Sequence, residues 1–484
     1  MKKFLCLIMA AILICALFAS CSGKDDGEDT SVSFISDANT SNLKLAYSKN
    51  DSLDPYETES LINFQITSLV FDGLFSLDSS YKPQPALAGE ASVNGKAVSV
   101  TLGEAVFSDG TPLTAADVIA SYERAKESDN FASRLENFNG ATISSDGTVV
   151  FTLERSDPYA VSCLNFPVVR PAADEESLPL GTGRYKLMKT GETVYLVANT
   201  LRPSFNPAVK TISLEPVHDS DSVESSTVIG NTAFFYDDLS SGTFTRINAN
   251  MVEMGINNMV YLSFSRYSDL FSYADIRRAV SLSINRDEAV TGAFRSHARA
   301  SSLPFNPDWY VTGSISTAGS EDKALADKLI EESGVDIRNA ETVILYNNEN
   351  EFKQELAGYV AQCLKERGFI TRLFGVPADE FGAEYSSGNY DICISEVRLG
   401  YNMDLTPLFS GRSYSAESES AAVYNDFLDG KCEIMDFINS FNSDIPLVPV
   451  CFRNASLSYT NAMEADFAGC DADVFYDIES WRIR

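Results

Sequence analysis

The chain has 484 residues, and its 68 acidic residues against 37 basic ones give a formal net charge of -31 at pH 7. A field of this sign repels phosphate backbones, so nucleic acid is excluded as a natural partner. The length is more than one hydrophobic core supports, so we expect at least two lobes.

The first twenty residues have the pattern of a secretory signal peptide. Lys2 and Lys3 precede an uninterrupted apolar run, Phe4–Ala19, and Ser20 stands directly before Cys21. The run is too short for a membrane-spanning helix. A cysteine in this place is typical of a bacterial lipobox. We therefore expect an exported protein that a lipid on Cys21 anchors to the outer face of the cell membrane. Ordinary cleavage near Ser20 is the alternative.

Residues 21–41 are rich in Ser, Asp, Gly, Asn and Thr and lack apolar periodicity, which predicts a flexible tether. The cysteines beyond it have no CxxC spacing, so they indicate neither a zinc site nor a redox motif. Export permits disulfides, but the sequence does not choose among the pairings. These cysteines are Cys163, Cys363, Cys393, Cys432, Cys451 and Cys470.

The first part of the folded chain predicts strands and hairpins with a few helices. Apolar residues recur at helical spacing over Glu59–Asp72 and Ala115–Lys126. Two Xaa-Gly turns, Asn94-Gly95 and Asp146-Gly147, each join two alternating segments and predict hairpins.

After about residue 260 the pattern changes to alternating helices and strands. A strand, a helix and a second strand in quick succession predict a right-handed parallel crossover. These segments are Thr342–Tyr346, Glu351–Arg367 and Phe369–Phe374; further helices are expected over Asp275–Ile284 and Glu321–Ser333, and strands over Tyr390–Val397, Leu447–Phe452 and Leu457–Tyr459.

Motifs for catalysis, cofactors and metals are lacking. The two histidines, His218 and His297, belong to no motif, and no glycine-rich phosphate loop occurs. Acidic pairs such as Asp237-Asp238 are typical of a solvated surface. We therefore expect no enzyme, no cofactor and no metal site, with a hydrolase built on carboxylates as the alternative.

The segment FSDGTPLTAADVIASYERAK, Phe107–Lys126, resembles the family 5 extracellular solute-binding proteins of ABC importers, which bind oligopeptides, dipeptides or nickel. GTGRYKL, Gly181–Leu187, is similar to the family's GTGPYKL turn, with Arg184 in place of the proline. Further segments that resemble the family are Leu53–Ala88, Ala274–Val290 and Asp444–Val450.

This resemblance implies an α/β, two-lobed fold like that of type II periplasmic binding proteins, with mixed sheets and crossing hinge strands. We expect lobe 1 to span residues 42–254 with an inserted hairpin subdomain, lobe 2 to span 255–443, and 444–484 to return to lobe 1. The crossing segments are expected near Met251–Val260 and Ser440–Val448. The resemblance also implies a monomer whose ligand is enclosed between the lobes, with an ABC permease as partner.

In the family, a Gly-Trp pair followed by acidic residues and an Asp-Pro marks the ligand cleft. Here the segment reads EVRLGYNMDLTPLF, Glu396–Phe409, in which Asp404 matches and Leu405 replaces the proline. In relatives that bind peptides, an aspartate of this segment receives the α-ammonium group of the peptide. The resemblance carries this role to Asp404.

The strand before Asp404 predicts a second polar contact. Alternation places Ile392, Ile394 and Glu396 on one face, and Arg398 continues that side as the strand ends. Ligands of open α/β sheets bind at the carboxyl ends of strands, so we expect Glu396 or Arg398 to contact the ligand. The alternative is an ion pair of Arg398 with Asp404 or Glu396 that only shapes the loop.

The expected function is therefore capture of peptides outside the cell for import. One alternative keeps the fold and changes the solute to a metal chelate, an oligosaccharide or an opine. Another is a surface sensor or adhesin that binds ligand without a transporter.

Overall fold

The structure is a computed structural model, which describes residues 42–484 except 175–176, 219, 245, 316–320, 339–340 and 412. The predicted signal peptide, Cys21 and the tether lie outside the described residues. Within the described ranges, no helix has the length and apolar character needed to cross a membrane.

The N-terminal part of the chain consists mainly of strands and hairpins. Its strands are β1 (Asn42–Ser48), β2 (Phe75–Leu77), β3 (Pro83–Pro85), β4 (Ala88–Asn94), β5 (Ala97–Leu102), β6 (Phe138–Ile143), β7 (Val149–Leu153), β8 (Tyr185–Thr190), β9 (Thr193–Ala198), β10 (Thr211–Val217) and β11 (Phe234–Asp237). Its helices are α1 (Leu61–Val70), α2 (Ala115–Glu127) and α3 (Ser220–Val228).

The rest of the chain alternates helices and strands before a strand-rich end. The strands are β12 (Asn250–Phe264), β13 (Ala298–Ala300), β14 (Glu341–Asn347), β15 (Ile370–Val376), β16 (Ile392–Arg398), β17 (Leu447–Tyr459), β18 (Met463–Glu464) and β19 (Arg482–Ile483). The helices are α4 (Ala274–Ser283), α5 (Arg286–Ala293), α6 (Lys323–Ser333), α7 (Glu351–Glu366), α8 (Ala378–Ser387), α9 (Ser420–Leu428) and α10 (Ile434–Asp444).

One mixed sheet runs through the described chain in the order β15-β14-β16-β12-β17-β11-β1-β10-β9-β8, with β13 also paired to β17. The hairpin strands β4 to β7 form a separate four-stranded sheet in the order β4-β5-β7-β6. The long antiparallel strands β12 and β17 connect the N-terminal strands to the α/β strands. We call the α/β region, residues 265–446, the middle part.

The long strand β12 is irregular where it passes between the two parts. Gly255 pairs with Asn454 but Met259 pairs with Phe452, so β12 carries two extra residues across this interval. Such a bulge bends a strand and redirects its side chains. The side chain of Asn257 leaves the bulge and donates to the carbonyl oxygens of Leu399 and Gly400.

Several predicted elements are confirmed. Both Xaa-Gly hairpins form, and β14 and β15 pair in parallel across α7. The helix predicted over Ala115–Lys126 forms as α2, which begins with a capping box of Thr114 and Asp117. Gly334 ends α6 in the left-handed conformation that glycine adopts without strain.

Three expectations about element limits were wrong. The helix predicted over Glu59–Asp72 begins after the cap Ser60 and ends at Val70. The two predicted C-terminal strands are one continuous strand, because β12 pairs with β17 from Leu447 to Tyr459. Most of Ser440–Val448 belongs to α10, so the crossing strand begins later, at Leu447.

Arg184, which replaces the proline of the family's GTGPYKL turn, is buried, and its guanidinium donates hydrogen bonds to several acceptors. Its guanidinium donates to backbone carbonyls of Ser68, Phe475 and Tyr476 and forms an ion pair of 2.6 Å with Asp473. The residue therefore ties the turn to α1 and to the C-terminal segment, which a proline cannot do.

Candidate ligand-binding cleft

A cavity of about 280 Å³ lies between the short 3-10 helix Ala132–Leu135 and the loop after β16. Residues from Ser133 to Asn137 line one wall, and residues from Val397 to Leu408 line the other. A neighbouring cavity of about 270 Å³ shares Ser133, Arg134 and Arg398 with it. We call these two cavities the cleft.

The loop after β16, which carries Asp404, is held by buried polar contacts. Asn257 binds the Leu399 and Gly400 carbonyls at 3.0 and 2.9 Å, and Asn306 donates to the Asn257 side chain at 3.2 Å. The irregular part of β12 thus fixes the start of this loop and with it one wall of the cleft.

Asp404 lines the cavity and pairs with Arg155, which follows β7 in the N-terminal part. Its Oδ1 accepts from the backbone N–H and the hydroxyl of Thr406, at 2.9 and 2.6 Å, and Oδ2 accepts from Arg155. Tyr424 approaches Oδ1 at 3.4 Å. The carboxylate therefore stands at the boundary between the two parts of the chain.

A second contact across this boundary joins Asp157 to Asn402. The Asn402 side chain donates to Oδ2 of Asp157 at 2.7 Å, and the backbone N–H of Tyr159 donates to Oδ1 at 2.8 Å. Burial raises the pKa of Asp157 to about 6, and these two donors only partly offset it. Two side-chain pairs thus connect the loop after β7 to the loop after β16.

Arg398 also lines the cavity, with 43% of its side chain exposed. Its Nη2 donates to Oδ2 of the fully buried Asp471 at 2.8 Å. Burial acts against the charge, but Asp471 outweighs burial and raises the pKa of Arg398 above its ordinary value. The other oxygen of Asp471, Oδ1, has no hydrogen-bond partner among the described residues.

Glu396, the other candidate for the second contact, is not among the residues that line the cavity. Its carboxylate accepts from Arg453 at 2.6 Å, from Lys353 at 2.9 Å and from Asn258 at 2.8 Å. Burial favours the neutral acid, but Arg453 and Lys353 outweigh it and lower the pKa of Glu396 to about 2. These contacts account for the charge of Glu396 within the protein.

The structure therefore brings Asp404 and Arg398 to one cavity and gives Glu396 separate partners. It forms neither of the ion pairs considered for Arg398, since that residue pairs with Asp471. Arg134 and Arg155 also belong to the cleft region, and no motif in the sequence singles them out.

The described residues include both histidines and the six cysteines of the folded chain. They contain no group of three or more His, Cys, Asp or Glu side chains arranged to hold a metal ion. The six cysteines of the folded chain form no disulfide, and all but Cys432 are buried. His297 is buried beside Glu253, with Nδ1 at 2.8 Å from Oε1.

Comparison with known proteins identifies the family. Residues 80–418 match the model described as bacterial extracellular solute-binding proteins, family 5 middle. The glutathione-binding protein GsiB of Salmonella typhi is 23% identical over 408 residues, which cover 77% of this chain and 78% of GsiB. GsiB of Escherichia coli K12 is 24% identical over 409 residues, with the same coverage of both chains.

Solved structures show the same fold. The ABC transporter substrate-binding protein CtaP of Listeria monocytogenes superimposes with a TM-score of 0.71 and 18% identity over 92% of this chain and 99% of CtaP. The unliganded open form of the murein tripeptide-binding protein MppA gives a TM-score of 0.72 and 18% identity, over 91% and 97% of the two chains. The predicted two-lobed fold with mixed sheets is thereby confirmed. The chain belongs to family 5 of the bacterial extracellular solute-binding proteins, the solute-capturing components of ABC importers.

Proposed function

We propose that the cleft captures peptides, which the protein delivers to the permease of an ABC importer. The observation that carries the proposal is that Asp404 and Arg398 line one cavity, so a carboxylate and a guanidinium face the same space. A peptide carries an ammonium and a carboxylate group, and a cleft with both charges complements it. The relatives named for glutathione and for a murein tripeptide support a peptide ligand.

Asp404 is proposed to receive the α-ammonium group of the peptide, and Arg398 to supply a second polar contact. Each carboxylate oxygen offers two lone pairs, so Oδ2 of Asp404 can accept an ammonium N–H beside the Arg155 contact or in its place. Arg398 uses Nη2 for Asp471, which leaves other N–H groups of the guanidinium for a ligand.

Calorimetry with trialanine and N-acetyl-trialanine tests this assignment. Wild type is expected to bind the free amine more tightly, because acetylation removes one partner of the buried charge pair with Asp404, a loss of about 2–5 kcal/mol or roughly thirtyfold to several thousandfold in Kd. Asp404→Asn is expected to lose that preference while keeping the fold. Equal binding of trialanine by Asp404→Asn and wild type would refute the ammonium role.

Arg155→Gln is the matched control, because it removes the other half of the same ion pair. If Asp404 binds the ammonium, this variant frees the carboxylate and should bind trialanine at least as tightly as wild type. If the pair serves only to close the cleft, Arg155→Gln and Asp404→Asn should weaken binding equally.

The lobes are proposed to span 42–254 with 444–484, and 255–443, and to close on the ligand about β12 and β17. A monomer anchored to the outer face of the membrane by a lipid on Cys21 would hold this cleft near the permease. Cys21→Ala should release the protein from membranes or block its processing. Intact-mass analysis that finds an unmodified mature N-terminus would rule out the lipid.

A further inference from the structure

We infer that Arg134 receives a carboxylate group of the ligand, so that the cleft selects peptides with a free C-terminus. This inference rests on the proposed function and names a second determinant of the same site. Arg134 lies in the 3-10 helix Ala132–Leu135, opposite the loop that carries Asp404. It lines both cavities of the cleft and a third, of about 70 Å³, beneath α1.

Arg134 differs from the other arginines of the cleft region in its partners. Arg155 pairs with Asp404, and Arg398 pairs with Asp471. The guanidinium of Arg134 instead lies over two aromatic rings, 4.8 Å from the ring centre of Tyr401 and 5.2 Å from that of Phe131. It has no ion pair or hydrogen bond with any residue in the part of the chain that the structure describes.

The aromatic contacts hold the guanidinium but leave its hydrogen-bonding capacity unused. Stacking on a ring engages the face of the guanidinium, whereas its N–H groups point outward in the plane. Phe131 and Tyr401 are almost fully buried, so the stacked position is well defined. A planar group with two acceptors, such as a carboxylate, matches the in-plane N–H groups in a two-point contact.

Tyr401 supplies an independent indication. It is 1% exposed and lines the larger cavity, yet its hydroxyl has no hydrogen-bond partner among the described residues. A buried hydroxyl without a partner destabilises the protein, and a hydrogen bond from this hydroxyl to a ligand acceptor in the cavity would remove that cost. The one acidic residue of this wall, Glu136, is exposed, so solvent screens its effect on a bound carboxylate.

The test compares trialanine with trialanine amide, which differ in the C-terminal charge. Calorimetry of wild type should give a Kd about tenfold to a hundredfold lower for the acid, the range expected for hydrogen bonds to a charged group. Arg134→Gln should bind acid and amide alike and retain its preference for a free over an acetylated N-terminus. Arg372→Gln removes an exposed arginine that lies on the edge strand β15 and is not among the residues that line the cleft; it serves as the matched control and should behave as wild type.

The outcomes distinguish a failure of the proposed peptide function from a failure of the carboxylate role of Arg134. Wild type that binds neither peptide overturns the proposed peptide function and this inference together. Wild type that binds acid and amide equally overturns the inference but not the proposed function. This result is obtained with wild type alone, so it does not depend on whether a variant folds. A preference for the acid that persists in Arg134→Gln assigns the carboxylate to another residue and also overturns it.

Discussion

Two groups of charged residues lie close to each other in sequence, around Glu396 and around Asp404, and they differ in where their partners come from. Glu396 has Arg453, Lys353 and Asn258, on strands and a helix that pack beside β16. Asp404 has Arg155, which belongs to the N-terminal part of the chain.

We infer from this difference that the contacts of Glu396 stabilise the fold, whereas the proposed binding role belongs to Asp404. The contacts of Glu396 join regular elements and leave its side chain only 13% exposed, so they hold the sheet together. The Asp404 contact joins the loop after β7 to one wall of the cleft, and the Tyr401 hydroxyl, which has no hydrogen-bond partner among the described residues, lies at the same cavity. A pair between two loops at the cleft can be exchanged for a ligand, whereas the contacts of Glu396 with Asn258 and Arg453 lie among strands that are already paired with one another.

Breaking the contacts of Glu396 should have the largest effect on the free energy of unfolding. Glu396→Gln leaves the nearly buried Arg453 and the partly buried Lys353 without a counter-charge, and the free energy of unfolding should fall by about 3–5 kcal/mol. Urea denaturation measures the change. Glu341→Gln, at an exposed pair with Arg372, should change it by less than about 1 kcal/mol. Equal effects of the two substitutions would contradict the structural role of Glu396.

Protonation of the Glu396 carboxylate should break the same contacts without a mutation. The pKa of Glu396 is lowered to about 2, below that of a glutamate in an unfolded chain, so its contribution is present above the ordinary carboxyl pKa. That contribution should be lost as the pH falls from about 4 toward 2. Wild type should therefore lose more stability than Glu396→Gln over this interval, and parallel stability curves would be the contrary result.

Asp157 should show the opposite pH dependence. Its pKa is raised to about 6, so the folded state holds a proton that the unfolded chain has already released above about pH 4. Its stabilising effect is complete below about pH 4 and is lost as the pH rises through 6, a cost of about 2–3 kcal/mol at pH 7. Asp157→Asn should therefore be more stable than wild type at pH 7 and equal to it near pH 4. A variant less stable at pH 7 would contradict this account.

Removing the pair across the cleft should have the smallest effect on stability. Arg155 is 32% exposed, so Arg155→Gln should change the free energy of unfolding by about 1 kcal/mol or less. The expected change is in shape, because one of the contacts that join the two loops is lost. X-ray scattering should give the ligand-free variant a larger radius of gyration than wild type. An unchanged radius would mean that the pair does not favour closure.

Local sequence patterns predicted the elements of the fold, but not the partners of the charges. Alternation located β16, and the resemblance placed Asp404 where a cavity occurs. Arg155 is 249 positions from Asp404, and a contact over that distance depends on how the two parts of the chain pack. The same applies to Arg134, whose lack of an acidic partner among the described residues becomes evident only once its neighbours are in place.

The central claim is that the cleft holds a peptide, and the solute that accompanies the protein tests it most directly. The protein is purified under mild conditions and denatured, and the released small molecules are identified by mass spectrometry. The account predicts peptides with a free amino and a free carboxyl terminus, released in smaller amount from Asp404→Asn and Arg134→Gln. Release of a sugar, an opine or a metal chelate as the main solute, in equal amount from wild type and both variants, would contradict it.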